Sequence, residues 1–533
     1  MNTRLFTFLF FLVVLSPVFL QEVIGSPEEN YYEFLSLDGT VAKEFLNYRT
    51  LSDSVWAPAT RSLQHAVTDE ISYRIYGPAT NVSWNSSAPY GGNDGALWQG
   101  KGFNAQLNTG LRLEAYGIEL TFKPELYSSQ NLGFDLVAPA YSGELYADKA
   151  EKWGYYGIRS IDAPQRFGND ALYGFSWGDS EIRYSYKSLT IGFGTQAIWL
   201  GPAKINPLMH SNNAPPYPKL DVGIRRQPVH IRGWYLGDVE FRAWWGKTTE
   251  SDYFDTIDDN DHNLMTGLSV SWAPPVVRGL TLGFHRTMLS DWDAMDYDAI
   301  LTLLWPFMDS TAGRDERDQR ASLTASYALD SVDLELYLEW GRNDYSPDLD
   351  FILRYPFHTQ AYTVGGQKGF TLPFMRGVKN RLIIEITNLE SSRDYELLWP
   401  TTFYAHHQIV QGYTNEGQWI GAPIGTGGNS QYIAIESLYR KGITRVFFQR
   451  VNPDNDYIWF MDTIDETTDP RENEKKIRVD LSFGVSGLYW LSEKLSLSYT
   501  AVVTDSMNYQ YGSNNSSIHR FNIHLATGFT FAL

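Results

Sequence analysis

The chain contains no cysteine, which excludes a disulfide framework, a thiolate metal site and an acylated lipoprotein cysteine. Beyond its first residues it has no stretch approaching the roughly 18 apolar residues of a membrane-crossing helix. Basic charge is also in short supply, with 43 Lys and Arg against 62 Asp and Glu and a formal net charge of −19. Without a basic tract or an RNA-reading motif, that balance argues against nucleic acid as a partner.

Aromatic residues and alternation are plentiful. Hydrophobic residues make up 43% of the chain and aromatics 15%, including 34 Tyr, 17 Trp and 29 Phe. Strands must use this supply, which suits two interfacial girdles and stacking surfaces inside a pore. At the C-terminus Phe521, Ile523, Leu525, Phe529, Phe531 and Leu533 alternate with polar or small residues, and only Thr527 breaks the apolar face. Such a strand looks like the closing strand of an outer-membrane β-barrel. At the other end Arg4 precedes the apolar stretch Leu5–Leu15, which Ser16 and Pro17 interrupt before Gly25 and Ser26. This pattern predicts a signal peptide over 1–25, cut near Gly25.

The body of the chain repeats the two-residue rhythm. Val332, Leu334, Leu336, Leu338 and Trp340 alternate with Asp333, Glu335, Tyr337 and Glu339. Ile477–Val485 and Leu495–Val503 alternate likewise across the turn Ser492-Glu493-Lys494, as do Leu264–Trp272 and Leu280–Phe284 across Pro274-Pro275. The segments Ser290–Asp298 and Asp309–Arg320 read as long external loops, and Asp258–Asp261 and Pro453–Asp456 as solvated acidic turns. The fold class that follows is all-β, a closed antiparallel transmembrane outer-membrane barrel. Roughly 500 mature residues suit roughly 16 to 18 strands, and a soluble sandwich or propeller is the alternative. The expected organisation is a signal peptide over 1–25, a weakly helical periplasmic or plug segment over 26–70, and the barrel over 71–533.

Four segments sharpen this picture: Tyr90–Gly102 (YGGNDGALWQGKG), Trp199–Pro215 with its WLGPA, NPL and SNNAP stretches, Leu338–Asp344 (LEWGRND), and Tyr413–Gly425 (YTNEGQWIGAPIG). In this order and spacing they resemble the Wzi-type capsule-assembly family of outer-membrane proteins, over about Tyr73 to Leu533. The resemblance implies an 18-stranded barrel with inward-folded loops and no catalytic chemistry. Such a barrel acts as a lectin that holds capsular or related surface polysaccharide. Its partners would be that polysaccharide, outer-membrane lipid and lipopolysaccharide, and the barrel-assembly machinery that inserts a monomer. The short N-terminal region and the final Leu533 depart from the family pattern.

Candidate polysaccharide-binding residues come from these segments: Asn93, Asp94, Trp98, Trp199, Asn206, Asn212, Asn213, Arg225, Asn415 and Gln418. Each has a plainer role beside it. Gly91–Gly95 is foremost a turn, and Trp98 suits a pyranose platform or, more commonly in a barrel, an interfacial girdle. The carboxamides of Asn212 and Asn213 offer a donor and an acceptor to vicinal hydroxyls, but Asn also caps turns. Arg159, Arg166, Arg225, Arg226 and Arg232 match the carboxylates of an acidic glycan, yet also those of lumen residues such as Glu181, Asp221 and Glu240.

Enzyme chemistry finds little footing. His406-His407 and Ser391-Ser392 fit no hydrolase spacing, and two adjacent His on a strand point to opposite faces. Glu335 and Glu339 share one face but stand roughly 13 Å apart at strand rise, too far for a glycosidase pair. Asp258–His262 lacks the Gly and distal Glu of a calcium loop, so neither a metal nor a cofactor is expected. A diffusion porin or saccharide channel is the rival function, distinguished by whether the loops occlude the lumen.

Overall fold

The computed structural model describes residues 20–57, 64–68, 70–138, 153–158, 160–295, 317–343, 349–392, 402–458, 477–511 and 519–532. Among them eighteen antiparallel strands close into one barrel. They are β1 (Ile71–Asn85), β2 (Gly102–Ala115), β3 (Ile118–Phe122 and Glu125–Ser129), β4 (Leu172–Ser176 and Glu181–Tyr186), β5 (Leu189–Gly194) and β6 (Lys219–Ile231). Next come β7 (Trp234–Thr249), β8 (His262–Ala273), β9 (Leu280–Asp291), β10 (Arg317–Leu329), β11 (Leu334–Asn343) and β12 (Gln360–Phe370). The last are β13 (Lys379–Asn388), β14 (Asn429–Tyr439), β15 (Gly442–Asn452), β16 (Val479–Ser492), β17 (Leu495–Met507) and β18 (Arg520–Ala532). The closed hydrogen-bonded ring excludes the sandwich and the propeller.

Closure runs through β18 against β1, with Leu525 opposite Trp84 and Ala532 opposite Tyr76. A register shift there takes up Gly77-Pro78. Pro cannot donate to a ladder, and a Cβ at Gly77 would run into the Phe531 carbonyl, so a bulge is where this pair fits. The predicted alternation holds: on β18 Phe521, Leu525, Phe529 and Phe531 are exposed to the outside while Asn522 and His524 are buried inside. On β11 Leu336 and Leu338 face out, and Glu335, Tyr337 and Glu339 face in.

Of the expected loops at 290–298 and 309–320, residues 290–291 belong to β9 and 317–320 to β10, while 296–298 and 309–316 lie outside the described residues. Arg320 is buried, its Nε donating to the Phe403 carbonyl at 2.7 Å. A strand end whose polar residues face a filled lumen reads as a loop when only hydropathy is seen. Tight connections such as Glu493-Lys494 mark one rim, periplasmic in an outer-membrane barrel, and long loops mark the other.

The N-terminal segment lies inside the barrel. Ser26 caps helix α1 (Pro27–Ser36), its Oγ accepting from the Glu29 amide, with Pro27 at a favoured first position. Tyr32, Phe34 and Leu35 of α1 pack with Phe45 and Trp56 against Leu438, Ile443 and Leu488 of the wall. The helical pattern expected over 26–70 is thus realised over ten residues, and residues 42–57 form three short strands joined by bends and a turn. Residues 1–19 of the expected leader lie outside the described residues. Leu20 and Gln21 pair with Trp56 and Val55, and Glu22 meets Arg74 at 3.5 Å.

From the opposite rim three loops fold inward, 86–101, 195–218 and 402–428. They hold one another by main-chain contacts, the Ser211 amide donating to Ile420 O at 2.9 Å and the Gly95 amide to Asn212 O at 2.7 Å. Tyr404 Oη donates to Leu208 O at 2.7 Å.

Candidate functional site

Lumen carboxylates grip the infolded segments by their backbone. Glu240 on β7 accepts from the successive amides of Leu46, Asn47 and Tyr48 at 2.8 to 3.0 Å. On β13 Glu385 accepts from the amides of Lys204, Ile205 and Asn206 and from Tyr337 Oη. Glu339 on β11 accepts from the Leu208 amide at 2.9 Å and from Ser322 Oγ at 3.0 Å. Each is buried, and each lone pair so used replaces water lost on burial.

Charge pairs fasten the plug from the side. Asp53 meets Arg225 at 2.8 Å and Arg242 at 3.0 Å. Burial alone would raise its carboxyl, but Arg242 and Arg225 hold it well below the usual range. Glu33 on α1 is likewise held down against its burial by Lys204 and Lys43.

Plug and loops leave a cavity of about 980 Å³ along the inner face of β15–β18 and β1. Glu493, Lys494 and Ala532 border it at the periplasmic rim, and Tyr155, Tyr156 and Arg478 at its far end. Of the candidate residues it is lined by Asn93, Asp94, Trp98, Trp199, Asn206, Asn213 and Gln418. Asn93 and Gly95 take positive φ of 61° and 64°, as the turn reading of that loop requires. Trp98 packs edge-on against Phe167 at 5.0 Å, so it is a loop residue on the cavity and not part of a girdle. Burial pushes the Asp94 carboxyl up to about 6, against the lowering effect of its bonds from Gln99 and the Gly92 amide.

Three candidates stand elsewhere. Asn212 Nδ2 donates to Ile24 O, and Asn415 clips two loops, donating to Pro215 O and accepting from the Thr249 amide at 2.9 Å each. Arg225 forks onto Glu119 at 2.7 and 2.9 Å besides its bond to Asp53, so its role is the structural alternative. Arg159 lies outside the described residues.

The cavity also collects side chains the sequence did not single out: Tyr90, Trp419, Tyr432, Phe447 and Arg445. Tyr432 and Phe447 sit on the inward phase of strands whose outward phase is Ile433, Ile435, Val446 and Phe448. That phase was the available signal. At the far end Tyr155 Oη donates to Asp454 Oδ2 at 2.7 Å, and Tyr156, Tyr457 and Tyr511 cluster with it. Asp454 and Asp456 are 2% and 3% exposed, which corrects the solvated turn expected at 453–456. Burial raises both, Asp456 to about 6 and Asp454 further because Asp456 stands beside it. The turn at 258–261 is solvated as expected, Asp258 and Asp259 being exposed.

The residues weighed for catalysis are occupied. Ser391 Oγ donates to Asp456 at 2.9 Å, while His406 Nδ1 accepts from the Ile409 amide at 3.1 Å and its ring lies 4.6 Å from that of His407, tilted by 48°. Among the described residues no group of three or more His, Asp or Glu is placed to hold a metal ion.

The sequence profile of the family described as capsule assembly protein Wzi matches residues 74–485. Among solved structures, Wzi of Escherichia coli is similar over 86% of this chain and 85% of its own, with 11% identity and a TM-score of 0.56. That protein is described as an outer-membrane protein involved in group 1 capsule assembly and a carbohydrate-binding β-barrel. OprB of Pseudomonas putida is 10% identical over 87% of this chain and 94% of its own, with a TM-score of 0.38. OpdP of Pseudomonas aeruginosa is 9% identical over 86% and 91%, with a TM-score of 0.41. No curated protein matches the chain in sequence.

Proposed function

The chain belongs to the Wzi capsule-assembly family and lies in the bacterial outer membrane, and from that premise we propose that it binds capsular or related surface polysaccharide and holds it at the cell. The observation that carries the proposal is the cavity left between the plug, the infolded loops and the barrel wall. Its volume is at the upper end of the roughly 300–1,000 Å³ of ligand pockets. Its Tyr and Trp rings suit the C–H faces of sugars, and its carboxamides suit their hydroxyls. The E. coli relative's description as a carbohydrate-binding barrel supports the same reading.

The role is binding rather than catalysis. Glu240, Glu339 and Glu385 are engaged as acceptors for main-chain amides, which leaves them poor acids or bases. The infolded plug and loops also speak against the porin alternative. On this reading the leader expected over 1–25 exports the chain, with the contacts of Leu20, Gln21 and Glu22 inside the barrel favouring a cut before Leu20 rather than near Gly25. The segment expected over 26–70 acts as a plug through its residues 26–57, and 71–533 form the membrane body. It acts as a monomer that the barrel-assembly machinery inserts among lipid and lipopolysaccharide. Retention of a long glycan comes from many weak repeats engaging many copies.

The test is titration of the detergent-purified barrel with polysaccharide extracted from its own cell surface, beside a Trp98→Ala variant and an Asn212→Ala/Asn213→Ala variant. Saturable binding that Trp98→Ala weakens supports the proposal. Absence of saturable binding, with conductance in planar bilayers, would establish the channel instead.

A further inference from the structure

Asn206 is the most anomalous residue on the cavity wall. It is 1% exposed, yet neither Oδ1 nor Nδ2 has a hydrogen-bond partner among the described residues. Its main chain is fully committed, the amide donating to Glu385 at 2.8 Å and the carbonyl accepting from Thr363 Oγ1 at 2.8 Å. The side chain is therefore held in place without being used, although an unpaired buried carboxamide is costly.

Its surroundings match a sugar. Ile205, the preceding residue, packs with Phe447 on the wall cluster of Ile383, Tyr432 and Ala434, and the Tyr432 and Phe447 rings stack at 5.6 Å and 28°. Asn93 Nδ2 donates to the Ile205 carbonyl at 3.1 Å, which brings a second carboxamide alongside, and Asn93 Oδ1 is also unpaired. Asn93, Asn206, Tyr432 and Phe447 all line the cavity. The charge pattern narrows the choice. Arg445, two residues from Phe447, is bound to Glu436 at 2.6 Å, and Lys204, two residues from Asn206, lies between Glu33 and Glu335. These cations are spent on protein carboxylates, so an entering carboxylate would be desolvated without compensation.

We propose that this part of the cavity is a subsite for one uncharged pyranose, with Asn206 Oδ1 accepting from one hydroxyl and Nδ2 donating to its vicinal neighbour. The Tyr432–Phe447 pair covers the sugar's apolar face. The inference rests on the polysaccharide-binding reading and names the part of the repeat that enters the barrel. It predicts that acidic groups of a glycan stay outside this subsite.

The experiment titrates the purified full-length barrel in detergent with the methyl glycosides of glucose, galactose, mannose and glucuronic acid, followed by saturation-transfer NMR. Native surface polysaccharide is titrated in parallel. At least one hexoside binds saturably and at least about tenfold better than the glucuronide, and Asn206→Leu weakens it by about tenfold or more. The melting midpoint of Asn206→Leu is unchanged or higher, because the variant removes an unpaired polar group. Binding of no hexoside, equal or better binding of the glucuronide, or full binding by Asn206→Leu overturns the subsite. Hexoside binding without polysaccharide binding keeps the subsite and overturns the lectin reading, and polysaccharide binding indifferent to Asn206→Leu does the reverse.

Discussion

Replacing Glu240 with alanine should release the plug while leaving the barrel closed. Glu240 is 4% exposed and accepts three consecutive amide hydrogens, those of Leu46, Asn47 and Tyr48, at 2.8 to 3.0 Å. A hydrogen bond to a charged group contributes about 1.5–3 kcal/mol, so three would sum to more than one carboxylate can deliver independently. Water entering the vacated space replaces part of the loss. A net cost of about 3–5 kcal/mol, below the sum of about 1–3 kcal/mol for each of three buried donors left unsatisfied, is the expected value. It corresponds to a rise of roughly two to three and a half powers of ten in the open population. Hydrogen exchange read by mass spectrometry should show the amides of 46–48 losing protection by that factor. Strands on the far side of the barrel should keep theirs. Glu240→Gln retains one acceptor oxygen but turns an amide toward the three N–H groups, so it should fall between. Unchanged exchange at 46–48 in Glu240→Ala would refute the idea that this carboxylate holds the plug.

Arg225→Ala should lower the thermal midpoint through the loss of its bonds to Glu119 and Asp53, yet leave polysaccharide affinity within about twofold, since Arg225 lies off the cavity. Asp162, buried and accepting from the Ser251 amide and Oγ, has its carboxyl pushed up to about 7 by burial, with the neighbouring Asp255 adding a smaller upward push and Glu250, itself raised by burial to about 10, standing beside it. A folded pKa above the unfolded value of 3.8 gives stability that is full below that value and is lost as pH rises toward 7. Melting midpoints across this window should therefore fall with pH, and Asp162→Asn should flatten the slope. Gly421→Ala should destabilise by about 1–3 kcal/mol, because a Cβ there runs into Leu208 O and Tyr404 Oη. A midpoint equal to the parent's would show that the two loops can separate at no cost.

The barrel was legible because its cause is local. A strand that separates lipid from lumen must alternate, and Phe521–Phe531 or Leu334–Trp340 carry that demand residue by residue. Helix α1 was half visible, since Ser26 and Pro27 announce a start but its apolar face is completed only by Leu438, Ile443 and Leu488. The cavity was partly visible. Asn93, Trp98 and Asn206 reached it because loop motifs rich in Gly, Asn and Trp are built to approach something closely. Arg225 and Asn415 did not, since which carboxylate or carbonyl meets a given side chain depends on partners more than a hundred residues away. Asp454-Asn455-Asp456 misled for the same reason, as an Asp-Asn turn has one signature whether water or Tyr155 stands over it.

Because Glu240, Glu385 and Glu339 hold main-chain amides, their hold is indifferent to which side chains the plug and the inward loop carry. Sequence change at the gripped positions is therefore limited by the other contacts of their side chains, such as Lys204 against Glu33 and Glu335, and not by the grip. What the grip itself bars is proline, which has no amide hydrogen to offer. The chain respects that bar closely: amides 204, 205 and 206 are taken by Glu385 and amide 208 by Glu339, and the proline of this stretch stands at 207, the position between the two grips.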